Sequence, residues 1–489
     1  MMSFISAKSG FSRILSVILP ISMVLSSVAH AQRGGGLSIL RDAEIEKTIR
    51  DFSEPLFEAA ELTPDSVDTY LVNDNTLNAF VAGGQNIFIH TGLIIEATDY
   101  NQLVGVIAHE TGHITGGHIS RFSDGLKGAT AMTILGTILG AAAIAAGSGD
   151  AGMALMMGGQ HLGQRSYLKY SRTQESAADQ AGLTILEKTH QSGEGLITFL
   201  DYLGDQELLS SYQQDPYART HPVSIERISK LQQRVTSSPW YKAPPDPVAE
   251  YKFRRMQAKL FGYLKPGQTT LNKYPLSDQS VFAKYARAFA YHKLHQVREA
   301  IGEINSLIEA YPKDPYFHET KGQILFENGF VREASDAYRL AVKYLPNNAL
   351  IRVTFAQALL GTEDDSLVSE ALESLEFALA RDPNNYFAWL QASVAYHRKG
   401  NEAMTRYATA ERFLLAGDVR GAMVNAKFAM DSLPKNSSEW IRAQDILVIT
   451  QSNLSDEAQK KLPPLPEDKP DQDNQFRQTS ARSALLKGY

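Results

Sequence analysis

The 489-residue chain contains no cysteine. Disulfides, cysteine-ligated zinc, iron–sulfur clusters, thiol nucleophiles and a thioether-linked lipid anchor are thereby excluded, and any metal must be held by histidines and carboxylates. Excess positive charge is also missing. The 48 Lys and Arg residues face 54 Asp and Glu, a net charge of −6, which argues against a protein that grips a nucleic-acid backbone. Apolar residues are not scarce: 43% are hydrophobic and 21% charged, which excludes wholesale disorder.

Residues 1–31 read as an export signal. Lys8 and Arg13 give a positive start, Ile14 to Val28 is apolar, and Ala29-His30-Ala31 is a small-residue cleavage site. The periplasm is the expected destination. The mature chain then divides into residues 32–235, which hold nearly all the reactive side chains, and a linker over 236–280 marked by Pro239, Pro244, Pro245 and Pro247. Residues 281–451 are helical throughout, and a polar tail over 452–489 carries Pro463, Pro464, Pro466 and Pro470.

The helical part is periodic. Pro312, Pro346, Pro383 and Pro434 are spaced by 34, 37 and 51 residues, the first being the tetratricopeptide interval. Gly322, Gly329, Ala334, Tyr338, Ala341 and Pro346 carry the small-residue pattern of one full repeat. Stacked repeats of this kind make an α-solenoid that binds proteins or peptides.

The chemistry centres on His109-Glu110-Thr111-Gly112-His113, preceded by an apolar run without proline. On a helix His109 and His113 share one face and can grip one zinc ion, while Glu110 is turned about 100° away as a general base that need not be a ligand. Read alone, the motif also fits a surface helix with incidental His and Glu. A third ligand is required. His118 comes one residue early for the spacing that would return a third histidine to the zinc, and is expected to face elsewhere. Glu175 is the better candidate. It lies four residues before Asp179 in an Ala-rich helix, where Asp179 could orient a liganding histidine or help donate a proton.

Three further segments attract attention. Ile87 to Thr91 alternates, and Ile87 and Ile89 are expected on an edge strand that pairs with an extended substrate. His221, before Pro222, could fill an open zinc position, stabilise an oxyanion together with Arg227, or simply start a helix. Gly128 to Gly147 is uncharged and long enough to span a bilayer, but one crossing would separate His109 from Glu175. It is expected to be a buried or membrane-surface helical flap.

His109-Glu-Thr-Gly-His113, the Glu175-x-x-Ala-Asp179-x-x-Gly182 helix, Thr220-His221-Pro222 with Arg227, and the hairpin from Asn78 to Leu93 together resemble the gluzincin family of CAAX-prenyl-protease-like and Oma-like zinc metallopeptidases. The resemblance covers roughly residues 40–235. It implies a mainly α fold, in which a zincin-type metalloprotease domain of helices and a small antiparallel sheet precedes the tetratricopeptide solenoid. It further implies one zinc ion per chain on His109, His113 and Glu175, with Glu110 as general base and Asp179 as proton donor. With an export signal ahead and repeats behind, the resemblance implies misfolded or assembling outer-membrane proteins as clients. The beta-barrel assembly machinery is the implied partner, with a chaperone or scaffold role beside proteolysis.

Overall fold

The computed structural model describes residues 37–118, 133–135, 137–138, 149–209, 221 and 225–453. The expected export signal, most of the Gly128–Gly147 segment and the residues from 454 on lie outside the described residues. Of that apolar segment, Ile134, Leu135 and Ile138 are described and more than half exposed, which for these three goes against the first of the two expectations, burial, and not against the second, a membrane-surface position. Among the described residues no helix is long and apolar enough to cross a membrane.

Two compact units divide the chain. One comprises residues up to Leu307 with Gln323–Phe330, the other Ile308–Gly322 with the rest. The first unit begins with β1 (Ile39–Leu40), α1 (Ala43–Ala59), β2 (Thr69–Val72), β3 (Ala79–Ala82) and β4 (Asn86–His90). Next come the short α2 (Thr91–Glu96), α3 (Tyr100–Thr115), the 40-residue α4 (Gly149–Lys188), α5 (Glu194–Leu209) and α6 (Ile225–Ser237). It continues with α7 (Pro247–Leu264), α8 (Gly267–Lys273) and α9 (Val281–Lys293).

The sheet runs β1-β2-β4-β3 and is mixed rather than antiparallel. β3 and β4 form the expected hairpin, but β4 continues beyond it to pair parallel with β2, Leu71 opposite Ile89. That places β4 inside the sheet, with Ile87 and Ile89 fully buried on the core face. The edge-strand expectation for these two residues is therefore corrected: period-two alternation reports which face a side chain takes, not which strands flank it. The edges belong to β3, beside β4, and to β1. On the opposite face Phe88 stacks between Tyr70 and Phe80, with ring centroids 5.1 and 5.0 Å away.

Helix α3 is the centre of the unit. Asp99 caps it by accepting from the amide of Gln102, and Leu103, Val106 and Ile107 meet α1 residues Phe52 and Leu56, the sheet, and α5 residues Leu196 and Phe199 in one hydrophobic core. Residues 236–280 are not a linker. Pro247 starts α7 at a position that needs no amide hydrogen bond, and Phe253, Met256 and Leu260 complete the same core.

In the second unit the helices α12 (Val331–Tyr344), α13 (Ala349–Gly361), α14 (Val368–Arg381), α15 (Tyr386–Arg398), α16 (Glu402–Leu415), α17 (Val419–Ser432) and α18 (Ser438–Asn453) each pack on the next. Helices α10 (Val297–Ala310) and α11 (Pro315–Glu327) precede them. Ala334 and Ala341 are fully buried, and a Cβ at Gly322 would lie 2.8 Å from the Tyr338 ring. Small residues thus sit where the periodic pattern expects helices to touch, which gives a solenoid-like succession.

Candidate metal centre

His109 and Glu110 are wholly buried and His113 nearly so, which rules out the incidental surface helix. Their position follows from a close crossing of α3 and α4. A Cβ on Gly112 would lie 2.4 Å from the Ala178 carbonyl oxygen, and one on Gly182 would lie 3.1 Å from the backbone of Ala108. Glycine at both places lets the two backbones touch. Glu175 and Asp179, one turn apart on α4, are thereby pressed against the two histidines.

Four side chains converge on one buried point. His113 Nε2 is 3.1 Å from His109 Nε2 and 3.3 Å from Glu175 Oε1, and His109 Nε2 is 3.4 Å from Glu175 Oε2. His221 enters from a separate segment with Nδ1 3.3 Å from His109 Nε2 and 3.1 Å from Glu175 Oε2. One ligand atom from each of the four lies within 4.8 Å of all the others. A tetrahedral ion with nitrogen and oxygen bonds of about 2.0–2.1 Å needs donors about 3.3 Å apart. The donor set and its spacing fit such an ion.

The electrostatics agree. Burial disfavours a charged His109, but Asp179 and Glu175 outweigh it and carry its pKa up to about 10. A positive charge is thus favoured among these groups. Burial pushes His113 down to about 4. Burial also opposes charge on Glu175, yet His221, His109 and His113 hold its carboxylate well below the usual range.

Glu110 is not among the four. Among the described residues both its oxygens are buried without a hydrogen-bond partner, and His221 Nε2 stands 3.5 Å from Oε1. Burial raises its pKa. A buried carboxyl with unsatisfied oxygens beside a cation site has the properties a general base needs.

Asp179 takes a different position from the proton donor that the resemblance implied. Its Oδ1 is 2.9 Å from His109 Nδ1, the nitrogen turned away from the convergence point. Both its oxygens are bound by Arg227 at 2.7 Å. Burial is outweighed by His109 and Arg227, which hold its pKa below the ordinary carboxylate value. Of its two sequence readings, orientation of a ligand is the one the geometry fits. Arg227 is likewise committed: it also meets Glu175 Oε2 at 3.0 Å and the His221 carbonyl at 3.4 Å, and so braces the site rather than facing an oxyanion.

His118 does not join the four, but it does not face elsewhere either. It is buried with Nδ1 3.0 Å from His113 Nδ1. Sequence spacing missed it; the Gly116-Gly117 pair before it was the available signal.

Residues 40–235 match peptidase family M48. The chain is 24% identical over 393 residues to the beta-barrel assembly-enhancing protease of Escherichia coli K12, covering 79% of each chain. The protein of the same name from Yersinia pestis is 25% identical over 368 residues, 72% of each. Metalloprotease LoiP of Escherichia coli K12 is 27% identical over 197 residues, 40% of this chain and 73% of that one.

Proposed function

We propose that this metalloprotease, whose residues 40–235 form a family M48 peptidase domain, is a periplasmic zinc endopeptidase that degrades misassembled outer-membrane proteins. The observation that carries the reading is the convergence of His109, His113, Glu175 and His221 on one buried point beside an unsatisfied Glu110. Similarity along most of the chain to proteases named for beta-barrel assembly supports the client class.

His109, His113 and Glu175 would hold one zinc ion. When bound, the ion supplies a Lewis acid that polarises a peptide carbonyl and acidifies a neighbouring water. Glu110 takes the proton of that water and delivers it to the leaving amine. Arg227 and Asp179 keep Glu175 and His109 in place. An extended client pairs with the edge strand β3, Ala79–Ala82, through backbone hydrogen bonds, so that specificity for side chains is weak. The tetratricopeptide-like helices hold the client or dock on the beta-barrel assembly machinery.

His221 occupies the fourth position and keeps the resting enzyme latent. This arrangement favours one second reading, a chaperone or scaffold whose peptidase is normally silent.

Glu110→Gln tests the first reading: zinc content stays at the parent value while proteolysis falls by about 10²–10⁴-fold. If that variant fully rescues cells lacking the protein, the scaffold role dominates. His221→Ala should release unregulated cleavage, and unchanged cleavage sinks the latency reading. Crosslinking from the repeats in living cells, parent against Glu110→Gln, should capture a beta-barrel precursor or the assembly machinery.

A further inference from the structure

Helix α3 ends in an unusual way, and the ending bears on His113. Gly116 caps it, with its amide bonded to the Gly112 carbonyl at 3.0 Å, and Gly117 turns the chain back with φ at +61°. The left-handed conformation at Gly117 is the ordinary means of reversing a helix end. The packing of the next residue is less ordinary. The reversal lays the His118 ring over the backbone of Gly116 so closely that a Cβ there would lie 2.4 Å from His118 Nε2. Two adjacent glycines are therefore needed, one to turn and one to leave room.

The ring so placed is buried, and its Nδ1 meets His113 Nδ1 at 3.0 Å with the ring planes at 79°. His113 turns its other nitrogen, Nε2, toward His109 and Glu175. Two imidazole nitrogens at this distance share one proton. For Nε2 of His113 to offer a lone pair to a cation, the proton must reside on its own Nδ1, which makes His118 Nδ1 the acceptor and puts the His118 hydrogen on Nε2.

We propose that His118 is a positioning residue, which locks the tautomer and ring plane of His113 and thereby sets metal affinity. The two liganding histidines are then backed differently, His109 by the carboxylate of Asp179 and His113 by an imidazole. The inference rests on the zinc reading of the site.

The test is the zinc dissociation constant of the full chain, measured by chelator competition, for the parent, His118→Phe and His118→Asn. Phenylalanine keeps the ring without an acceptor, and asparagine restores an acceptor oxygen. Loss of such an outer partner costs about 10–100-fold in metal affinity. His118→Phe is expected to weaken zinc by that factor and to perturb the visible spectrum of the cobalt-loaded protein, whereas His118→Asn recovers most of the affinity. Thermal melts of the metal-free proteins accompany the measurement.

Equal zinc affinity in all three proteins overturns the proposal. So does a loss shared by both variants and matched by lower metal-free melting temperatures, which is a packing effect. A parent that binds no zinc defeats the metal reading itself, a different outcome. Should the variants fail to fold, nitrogen-15 NMR of the zinc-loaded parent decides: His118 protonated at Nε2 supports the proposal, and His118 protonated at Nδ1 overturns it.

Discussion

Asp179 Oδ1 lies 2.9 Å from Nδ1 of His109, the ring nitrogen opposite the one that faces Glu175. The carboxylate therefore directs the lone pair of Nε2 toward the convergence point, and Arg227 holds that carboxylate from behind. Asp179→Asn keeps the shape and removes the charge. It is expected to weaken zinc binding by about 10–100-fold, read by chelator competition, with proteolysis recovering at high zinc. A proton-donor role instead predicts normal zinc affinity with a lost rate.

Metal removal should loosen the whole unit. The four candidate ligands come from α3, α4 and the segment at residue 221, so an ion bound only by the folded chain ties three places together. Free zinc at about 1,000 times its dissociation constant stabilises by about 4 kcal/mol. Calorimetry with zinc and with chelator should give a clear rise in melting temperature for the parent and almost none for Glu175→Ala.

The α3–α4 crossing admits no side chain at Gly112. Gly112→Ala would press a methyl group against the Ala178 carbonyl at 2.4 Å, and is expected to cost at least about 1–3 kcal/mol in urea unfolding, with zinc lost in parallel. Gly204, on α5, has nothing among the described residues within 4 Å of such a methyl group. Gly204→Ala is the control, expected to stabilise by about 0.5–1 kcal/mol.

Acid should remove one clamp between α1 and α7. Asp51 is 2.7 Å from Lys252 and also pairs with Lys47. Burial raises its pKa, but the two lysines outweigh burial and leave the pKa below the ordinary value. A carboxyl with a depressed folded-state pKa contributes fully above its unfolded value of about 4, and the contribution fades as pH falls through the folded value. Asp51→Asn is expected to lower stability at pH 7, read by thermal melts, by no more than about 1 kcal/mol for a part-exposed pair. The difference from the parent should vanish near pH ~2.

The part of the site legible in the sequence was the part set by local geometry. His109, Glu110 and His113 are ordered by the helical repeat alone, and Glu175 with Asp179 by the same repeat in an Ala-rich segment. Long-range pairing was not legible. Nothing in the alternation of Ile87 and Ile89 says that β2 lies beside them, and only that parallel pairing moves β4 off the edge. Pro244 to Pro247 correctly marked a break, but it marked the start of a helix, and the spacing of Phe253, Met256 and Leu260 was the sign of burial that composition obscured. His118 escaped because its ring is aimed by the left-handed turn at Gly117, which helical spacing cannot anticipate.

The dispersal of the ligands along the chain has a consequence for biosynthesis. When the ribosome has delivered only His109 and His113, the nascent polypeptide has two of the four candidate ligands and no pocket. Glu175 must be made and docked across the glycine contact, and His221 follows still later. The candidate metal site is thus withheld until α4 has docked on α3, so that an unfinished copy with the two helices still apart has no assembled centre with which to attack its neighbours.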